Sequence, residues 1–202
     1  MATELQVGVA YALLAGTLWG ISPLLLKRGL NYADVSTATI IEQCVSVVFL
    51  AGLALYSGEI VHVDVTGKAF WAFFLAGAVG ASFGKVFYYK GIDRVGASKA
   101  TSIKNGSPLL TALLAVVFLG EDMNGFIIAG VCLIVMGIAS LSSAKASPQA
   151  EGTRLKYLLF PLIAAFCFGI NPIFKKIGVD AAALPILGAL ITQVTALLFM
   201  LV

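Results

Sequence analysis

Residues 7–26 read VGVAYALLAGTLWGISPLLL, twenty positions without a charge, closed by Lys27 and Arg28. A helix rising 1.5 Å per residue crosses the hydrocarbon core of a bilayer in about 20 residues. The stretch is typical of the whole chain. Of 202 residues, 60% are hydrophobic and only 11% charged, against about 45–50% and about 25% in soluble domains. A soluble core of this size could not hide such a surplus, so the chain reads as an integral membrane protein. The preceding MATELQ has no lysine or arginine. It is therefore not the basic start of a secretory signal, and the first apolar stretch is a retained span.

Working outward, the same criterion gives further spans near 35–57, 69–90, 97–119, 123–143, 156–175 and 182–202. The expected fold is all-α and polytopic, with about seven transmembrane helices. Between 143 and 156 lies SAKASPQAEGTR, a polar stretch that marks a boundary. The domains are thus 1–145, a linker 146–154, and 155–202. The lipid bilayer is one partner. A formal net charge of +3 with no long basic run argues against nucleic acid. Cys44, Cys132 and Cys167 lie in apolar segments without ligand spacing, which implies neither a disulfide framework nor a metal. His62, the single histidine, sits in a polar stretch and reads as a surface residue. No cofactor motif is present.

An internal repeat organises the spans. WGISPLLLKRGL at 19–30 aligns with FGINPIFKKIGV at 168–179. Gly20, Ile21, Pro23, Lys27 and Gly29 match Gly169, Ile170, Pro172, Lys176 and Gly178, each 149 positions on. An odd number of spans separates the copies, so the second enters the membrane from the opposite side. Inverted repeats with Pro/Gly-interrupted helices mark secondary transporters. The expected architecture is one five-helix repeat plus the first two helices of an inverted second one. A complete second copy on this period needs roughly 90 further residues.

These residues resemble the EamA-type domain of the drug/metabolite transporter superfamily. LWGISPLLLK at 18–27 opens the unit. An Ala/Ser-rich helix start, Pro108 in mid-span, LGE at 119–121 and then Gly130 and Gly137 close it. Pro23, Pro172, Pro108, Gly120 and Glu121 are its structural motif residues. The resemblance implies ten helices in two inverted repeats, with a central pathway lined by helices three and four of each. It also implies small-metabolite substrates, often amino acids or their relatives, and commonly export. Position 42 carries Glu where the family often has a basic residue. On this resemblance the chain reads as a C-terminally truncated multi-pass protein of the cell membrane. It would be a fragment without transport activity alone, or a half-transporter completed by the missing C-terminal helices or by a second copy in a homodimer.

Charges deep in the spans need a reason, because each costs about 2.5–3.5 kcal/mol at the helix centre. Glu42 lies some seven residues into its span, about 10 Å deep. Lys85 and Lys104 fall in the same half of the bilayer on the next two helices. The expectation is that all three line a water-accessible cavity. One or both lysines would attract an anionic substrate group, and Glu42 would hold a lysine until substrate arrives. The alternative is snorkelling lysines or a structural ion pair. Thr101, Ser107 and Thr111 share a broad sector with Lys104 at about 100° per residue. Tyr88, Tyr89 and Trp19 are either interfacial aromatics or cavity-wall groups. Asn171 either faces the pathway or bonds across helices. Gly77, Gly80 and Gly84 make a groove for close helix approach. Glu121 reads as a loop carboxylate near the next helix start.

The favoured function is alternating-access transport of a small polar metabolite, such as an amino acid or organic anion. A retinal protein would need a lysine in its last helix, and residues 181–202 contain none. A membrane enzyme finds no HExxH, histidine pair or phosphate loop, so the chain reads as a non-enzyme. Orientation is contested. Lys27, Arg28, Lys90, Arg94, Lys99, Lys145, Arg154 and Lys156 gather on one side, against Lys68, Lys175 and Lys176 on the other. The positive-inside rule then places the N-terminus outside, whereas the family usually has it in the cytoplasm.

Overall fold

The computed structural model describes residues 2–60, 65–120 and 155–201, with only helical positions 125, 128–130, 132, 133, 136, 137 and 140 between the last two segments. The span expected at 123–143, the linker 146–154, His62 and Glu121 therefore lie wholly or largely outside the described residues. Among the described residues there is no strand. Five helices are long and apolar enough to cross a membrane, and a sixth apolar helix, Pro185–Leu201, is shorter. The chain is an all-α polytopic membrane protein.

Helix α1 runs Ala2–Gly29 and α2 Val35–Ser57. The turn between them ends on Asp34, whose carboxylate accepts from the backbone of Ser36 (3.0 Å) and Thr37 (3.3 Å). That is an N-cap, and it satisfies donors that a helix start leaves free. The Thr37 hydroxyl, above all, holds the exposed Asp34 carboxyl below its ordinary pKa. The cap is therefore intact above the usual carboxylate range and lost as pH falls through the lowered value.

Helix α3 runs Gly67–Val95. Its middle, Ala76–Gly84, is wound in wider π turns. Helix α4 is Ala97–Leu119, separated from α3 by Gly96 alone, whose φ of +86° makes the reversal. It is interrupted at Asn105–Gly106, between Ala97–Lys104 and Ser107–Leu119. Pro108 stands in the first turn of the second segment. It has no N–H to offer the Lys104 carbonyl four residues back, so the helix breaks ahead of it. Gly120 ends α4 in the left-handed conformation, φ +66°. This is the structural work of the glycine in LGE.

Helix α5 is Leu159–Ala182 and α6 is Pro185–Leu201. The sixth span thus runs seven residues past the expected end at 175. Lys175, read as the last residue of the span, and Lys176, read as its flank, both lie within the helix. The apolar pattern is interrupted by this pair, but the helix is not, because its face keeps packing through Gly178.

Helices α3 and α5 cross at the centre, antiparallel and close. A Cβ on Gly84 would meet Cys167 at 2.9 Å, one on Gly80 would run into the Asn171 side chain, and one on Gly91 would meet Pro161 at 3.1 Å. On α5, a Cβ on Gly178 would meet the Phe73 ring at 2.6 Å. As the α3 number rises the α5 number falls in step, which defines the antiparallel register. Gly77 faces α6 instead, where a Cβ would meet the Thr192 carbonyl at 2.5 Å. The glycine groove expected on this span is therefore a packing groove for two helices. Without a hydrophobic drive between helices in lipid, such close approach is what holds them.

Cross-helix polar bonds reinforce the contact. Asn171 Nδ2 donates to the Ala76 carbonyl (2.7 Å), at the first residue of the wide-turn segment. Thr111 Oγ1 donates to the Gly169 carbonyl (2.8 Å), one turn before Pro172, and to the buried Ser107's carbonyl. The Leu187 N–H at the start of α6 donates to Glu59 (2.8 Å) at the end of α2. Such side chains stand in where π turns and prolines strain backbone pairing.

Helix α1 meets the others near the end of α3 and the start of α4. Lys27 Nζ donates to the Asp93 carbonyl (3.3 Å). Helices α1 and α3 thus run parallel, and the two copies of the repeated motif, in α1 and α5, point in opposite directions. Pro23 and Pro172 both lie inside their helices.

The glycine contact gives a direct expectation. Gly80→Ala should destabilise the detergent-solubilised protein by about 1–3 kcal/mol, as overpacking does. Gly52→Ala, where nothing lies within 4 Å, should be neutral or slightly stabilising. Thermal unfolding followed by size-exclusion recovery compares the two.

Candidate functional site: a polar cluster inside the bundle

The cluster begins with two consecutive residues of α2. Glu42 and Gln43 project about 100° apart on a helix, so one backbone turn can address both α3 and α6. On α3, Lys85 and Tyr89 are four residues apart and share a face. The Lys85 ammonium, an ammonium with three protons to donate, has three acceptors. These are both Glu42 carboxylate oxygens, each at 3.0 Å, and Gln43 Oε1 at 2.9 Å. The Tyr89 hydroxyl donates to Glu42 Oε2. Gln43 is wholly buried, and its Nε2 donates to both the backbone and the side-chain oxygen of Gln193 on α6, each at 2.8 Å. Among the described residues no buried side-chain polar atom lacks a partner. Only a fully satisfied network is tolerable in a low-dielectric interior.

The pair is unevenly covered. The Lys85 side chain is 12% exposed and that of Glu42 44%. The lysine is held inside while its carboxylate opens to a surface. Helix α3 continues to Val95, so Lys85 stands ten residues from the helix end, about 15 Å at 1.5 Å per residue.

Lys104 is held differently. Its Nζ lies 5.5 Å from the Tyr88 ring centroid and 5.4 Å from that of Phe168 on α5. Among the described residues it has no carboxylate partner. Two aromatic faces supply about 0.5–2 kcal/mol each, less than a counter-ion in a dry site. The Tyr88 hydroxyl shares a hydrogen bond with Thr101 Oγ1 (2.8 Å). The two tyrosine rings, 6.1 Å apart, join the Lys104 end of the cluster to the Lys85 end. Both tyrosines are buried, so they are interior groups and not interfacial aromatics.

The structure therefore brings together Glu42, Lys85, Tyr88, Thr101 and Lys104. Glu42 pairs with Lys85 and not with Lys104. Ser107, Thr111 and Asn171 are elsewhere, in the cross-helix bonds around Gly169 and Ala76. Trp19 is 78% exposed on the outer face of α1, away from the cluster. Glu121 lies outside the described residues. Sequence reasoning passed over Gln43 and Gln193. A search for charge alone does not register an amide, yet both glutamines stand in otherwise apolar helices. Their depth was the available signal.

Among the described residues the bundle thus holds an interior Lys85–Glu42 pair and, beside it, a lysine set against two aromatic rings. The match to the EamA-like transporter family model covers residues 6–143, and the chain belongs to that family. Over 73 residues it is 38% identical to an uncharacterized transporter of Synechocystis, covering 36% of this chain and 22% of that protein. Over 140 residues it is 23% identical to an uncharacterized transporter of Clostridium kluyveri, covering 69% and 45%. An uncharacterized inner membrane transporter of Salmonella typhimurium is 28% identical over 120 residues, covering 57% and 40%. The matched segments thus span less than half the length of these relatives. No solved structure matches.

The ion pair sets up a double-mutant cycle. Lys85→Met should destabilise the protein by a few kcal/mol, about 2–4, because it strands Glu42 against Tyr89. Adding Glu42→Gln should recover part of that loss, a coupling of about 1 kcal/mol or more. Thermal stability of the four proteins in one detergent measures it, and simple additivity would mean that the pair is not coupled.

Proposed function

We propose that the chain forms part of a secondary transporter of the cell membrane. It works by alternating access on a small polar metabolite with an anionic group, such as an amino acid or organic anion, moved outward. The observation that carries this reading is Lys104, which has no carboxylate partner among the described residues, beside the Lys85–Glu42 pair. An arriving anion meets Lys104 first, between two aromatic faces. It then competes with Glu42 for Lys85, while Glu42 keeps the Tyr89 hydroxyl. A resident carboxylate that substrate displaces keeps the empty site electrically tolerable and makes release as easy as entry. Helices that carry an internal proline and run in opposite directions, α1 and α5, support rocking of one part of the bundle against another. Membership of a transporter family supports the activity class, and nothing in the cluster resembles a nucleophile–base pair or a metal-ligand set.

A second reading, a half-transporter completed by another chain or a second copy, draws on α1. That helix exposes Leu13, Leu14, Leu18, Trp19, Leu24 and Leu25, and among the described residues Lys27 near its C-terminal end reaches the Asp93 carbonyl of α3. Lipid or protein can cover such a face. Mass measurement in detergent and in nanodiscs separates the two, since only the second reading needs a complex.

The pathway is tested by thiol accessibility in a background with Cys44, Cys132 and Cys167 replaced by serine. Lys104→Cys and Lys85→Cys should both react with a membrane-impermeant maleimide from at least one side, Lys104→Cys several-fold faster. Failure of both to react from either side would overturn the cavity.

A further inference from the structure

We propose that Gln43 and Gln193 are a positioning pair for Lys85. The direction of their amide hydrogen bonds follows whether Lys85 is seated on Gln43, and so carries that occupancy across the join between the two repeats. This rests on the transport reading for the use of the motion, not for the coupling itself.

The two glutamines are counterparts in the repeat. IIEQCVSVVF at 40–49 aligns with LITQVTALLF at 190–199, with Ile41, Gln43 and Phe49 matching Ile191, Gln193 and Phe199, each 150 positions on. The helices that carry them start at Val35 and Pro185, the same interval, and follow the α1 and α5 copies of the motif. They also run antiparallel. Glu59, after α2, accepts from the Leu187 N–H at the start of α6, while Gln43 meets Gln193 further along. A residue and its repeat counterpart can touch only close to the axis that relates the two copies. Gln43 and Gln193 mark that axis.

Their bonding is one-sided, and chemistry fixes its direction. An ammonium can only donate, so Gln43 turns its carbonyl to Lys85, with Oε1 2.9 Å from Nζ. That leaves its amide N–H groups for Gln193, whose backbone and side-chain oxygens each accept at 2.8 Å. With the roles exchanged, the Gln193 amide would donate to the backbone and side-chain oxygens of Gln43, making the same bonds between the same kinds of atoms. Across a two-fold axis the two arrangements are equivalent but for their surroundings, and beside Gln43 stands Lys85. In the exchanged arrangement the Gln43 carbonyl turns to Gln193 and its N–H groups face the ammonium, donor against donor. Lys85 therefore holds the pair in the direction observed. Gln43 is wholly buried, so losing one partner obliges its amide to find another. An anion that draws Lys85 off Gln43 removes the bias, and the change is felt on α6.

The test is side-chain amide NMR of the full chain in nanodiscs, with glutamine labelled at its side-chain nitrogen and hydrogen exchange read for each amide. Gln6, Gln43, Gln149 and Gln193 are the glutamines, and single Gln→Met variants assign them. In the unaltered chain the Gln43 amide should exchange about tenfold more slowly than that of Gln193. Lys85→Met with Glu42→Met removes the ion pair without stranding a charge, and should bring the two rates within about threefold of each other. Gln193→Met in that background loses the donor but keeps the backbone carbonyl, so Gln43 should return to slow exchange. Gln43→Met with Lys85 intact should slow the Gln193 amide, which then donates to the carbonyl of residue 43. A purely structural contact predicts instead that this amide stays in fast exchange, and that result would overturn the proposal. So would an unchanged preference for Gln43 in a folded Lys85→Met, Glu42→Met variant. Exchange of roles together with a Lys104→Cys thiol that reacts from one side only would uphold the coupling and overturn alternating access instead.

Discussion

The close crossing of α3 and α5 is the constraint on which the other contacts depend. In lipid, apolar surface gains little by meeting apolar surface, so helices hold together through close backbone approach and interhelical hydrogen bonds. Gly80, Gly84 and Gly91 on one helix and Gly178 on the other allow that approach, and no larger residue fits at Gly80 without moving Asn171. The crossing also sets the register of the polar groups. Asn171 reaches Ala76 because Gly80 makes room for it, and Phe168 lies beside Tyr88 because Gly84 admits Cys167 one residue away. The π turns of Ala76–Gly84 shift the phase between the two halves of α3. Phe73 and Gly77 can then serve α5 and α6 while Lys85 and Tyr89 serve α2.

Once α3 is fixed in this way, the ion pair follows from what a membrane interior tolerates. A buried lysine without acceptors would be expelled or deprotonated. Here three acceptors come from two adjacent residues of α2, and Gln193 of α6 holds one of those residues in place. Four side chains from three helices thus form one unit, and the unit joins α2 to the α3–α6 contact. The same network explains why Lys104 stays apart. Glu42 is already committed to Lys85 and Tyr89, and α4 presents Lys104 to rings instead.

Much of the fold was legible because lipid makes sequence patterns blunt. Charge-free stretches gave α1, α2, α3, α4 and α5 to within a few residues at most of their ends. Spacings of three and four named the glycine groove before its partners were visible. Boundaries failed where charge and helix part company. The Lys175–Lys176 pair resembles a span end, but α5 continues because Gly178 still packs on Phe73. The candidate site was legible in part. Depth alone selected Glu42, Lys85 and Lys104, whereas the choice of Lys85 as Glu42's partner depends on rotation and on Gln43, which periodicity does not resolve. Trp19, which the sequence left as either an interfacial aromatic or a cavity-wall group, is exposed on α1.

The repeated motif shows how one pattern can serve two environments. Gly169 is pressed against Leu110 of α4, where a Cβ would meet the leucine at 2.8 Å, while its counterpart Gly20 has nothing within 4 Å. Pro172 is flanked by the Gly169 carbonyl that takes the Thr111 hydroxyl. Around Pro23 the described residues offer no such donor. The motif therefore encodes a local capacity, a helix that can bend at proline and approach another at glycine, and not a fixed set of contacts. In α5 that capacity is used, and it brings Phe168 and Asn171 to bear on α3 and α4. In α1 Gly20 and Gly29 have nothing within 4 Å, although Pro23 is buried, so among the described residues only the α5 copy uses its first glycine for close helix contact. Depth and direction, set by the α3–α5 crossing, make the difference between two nearly identical sequences.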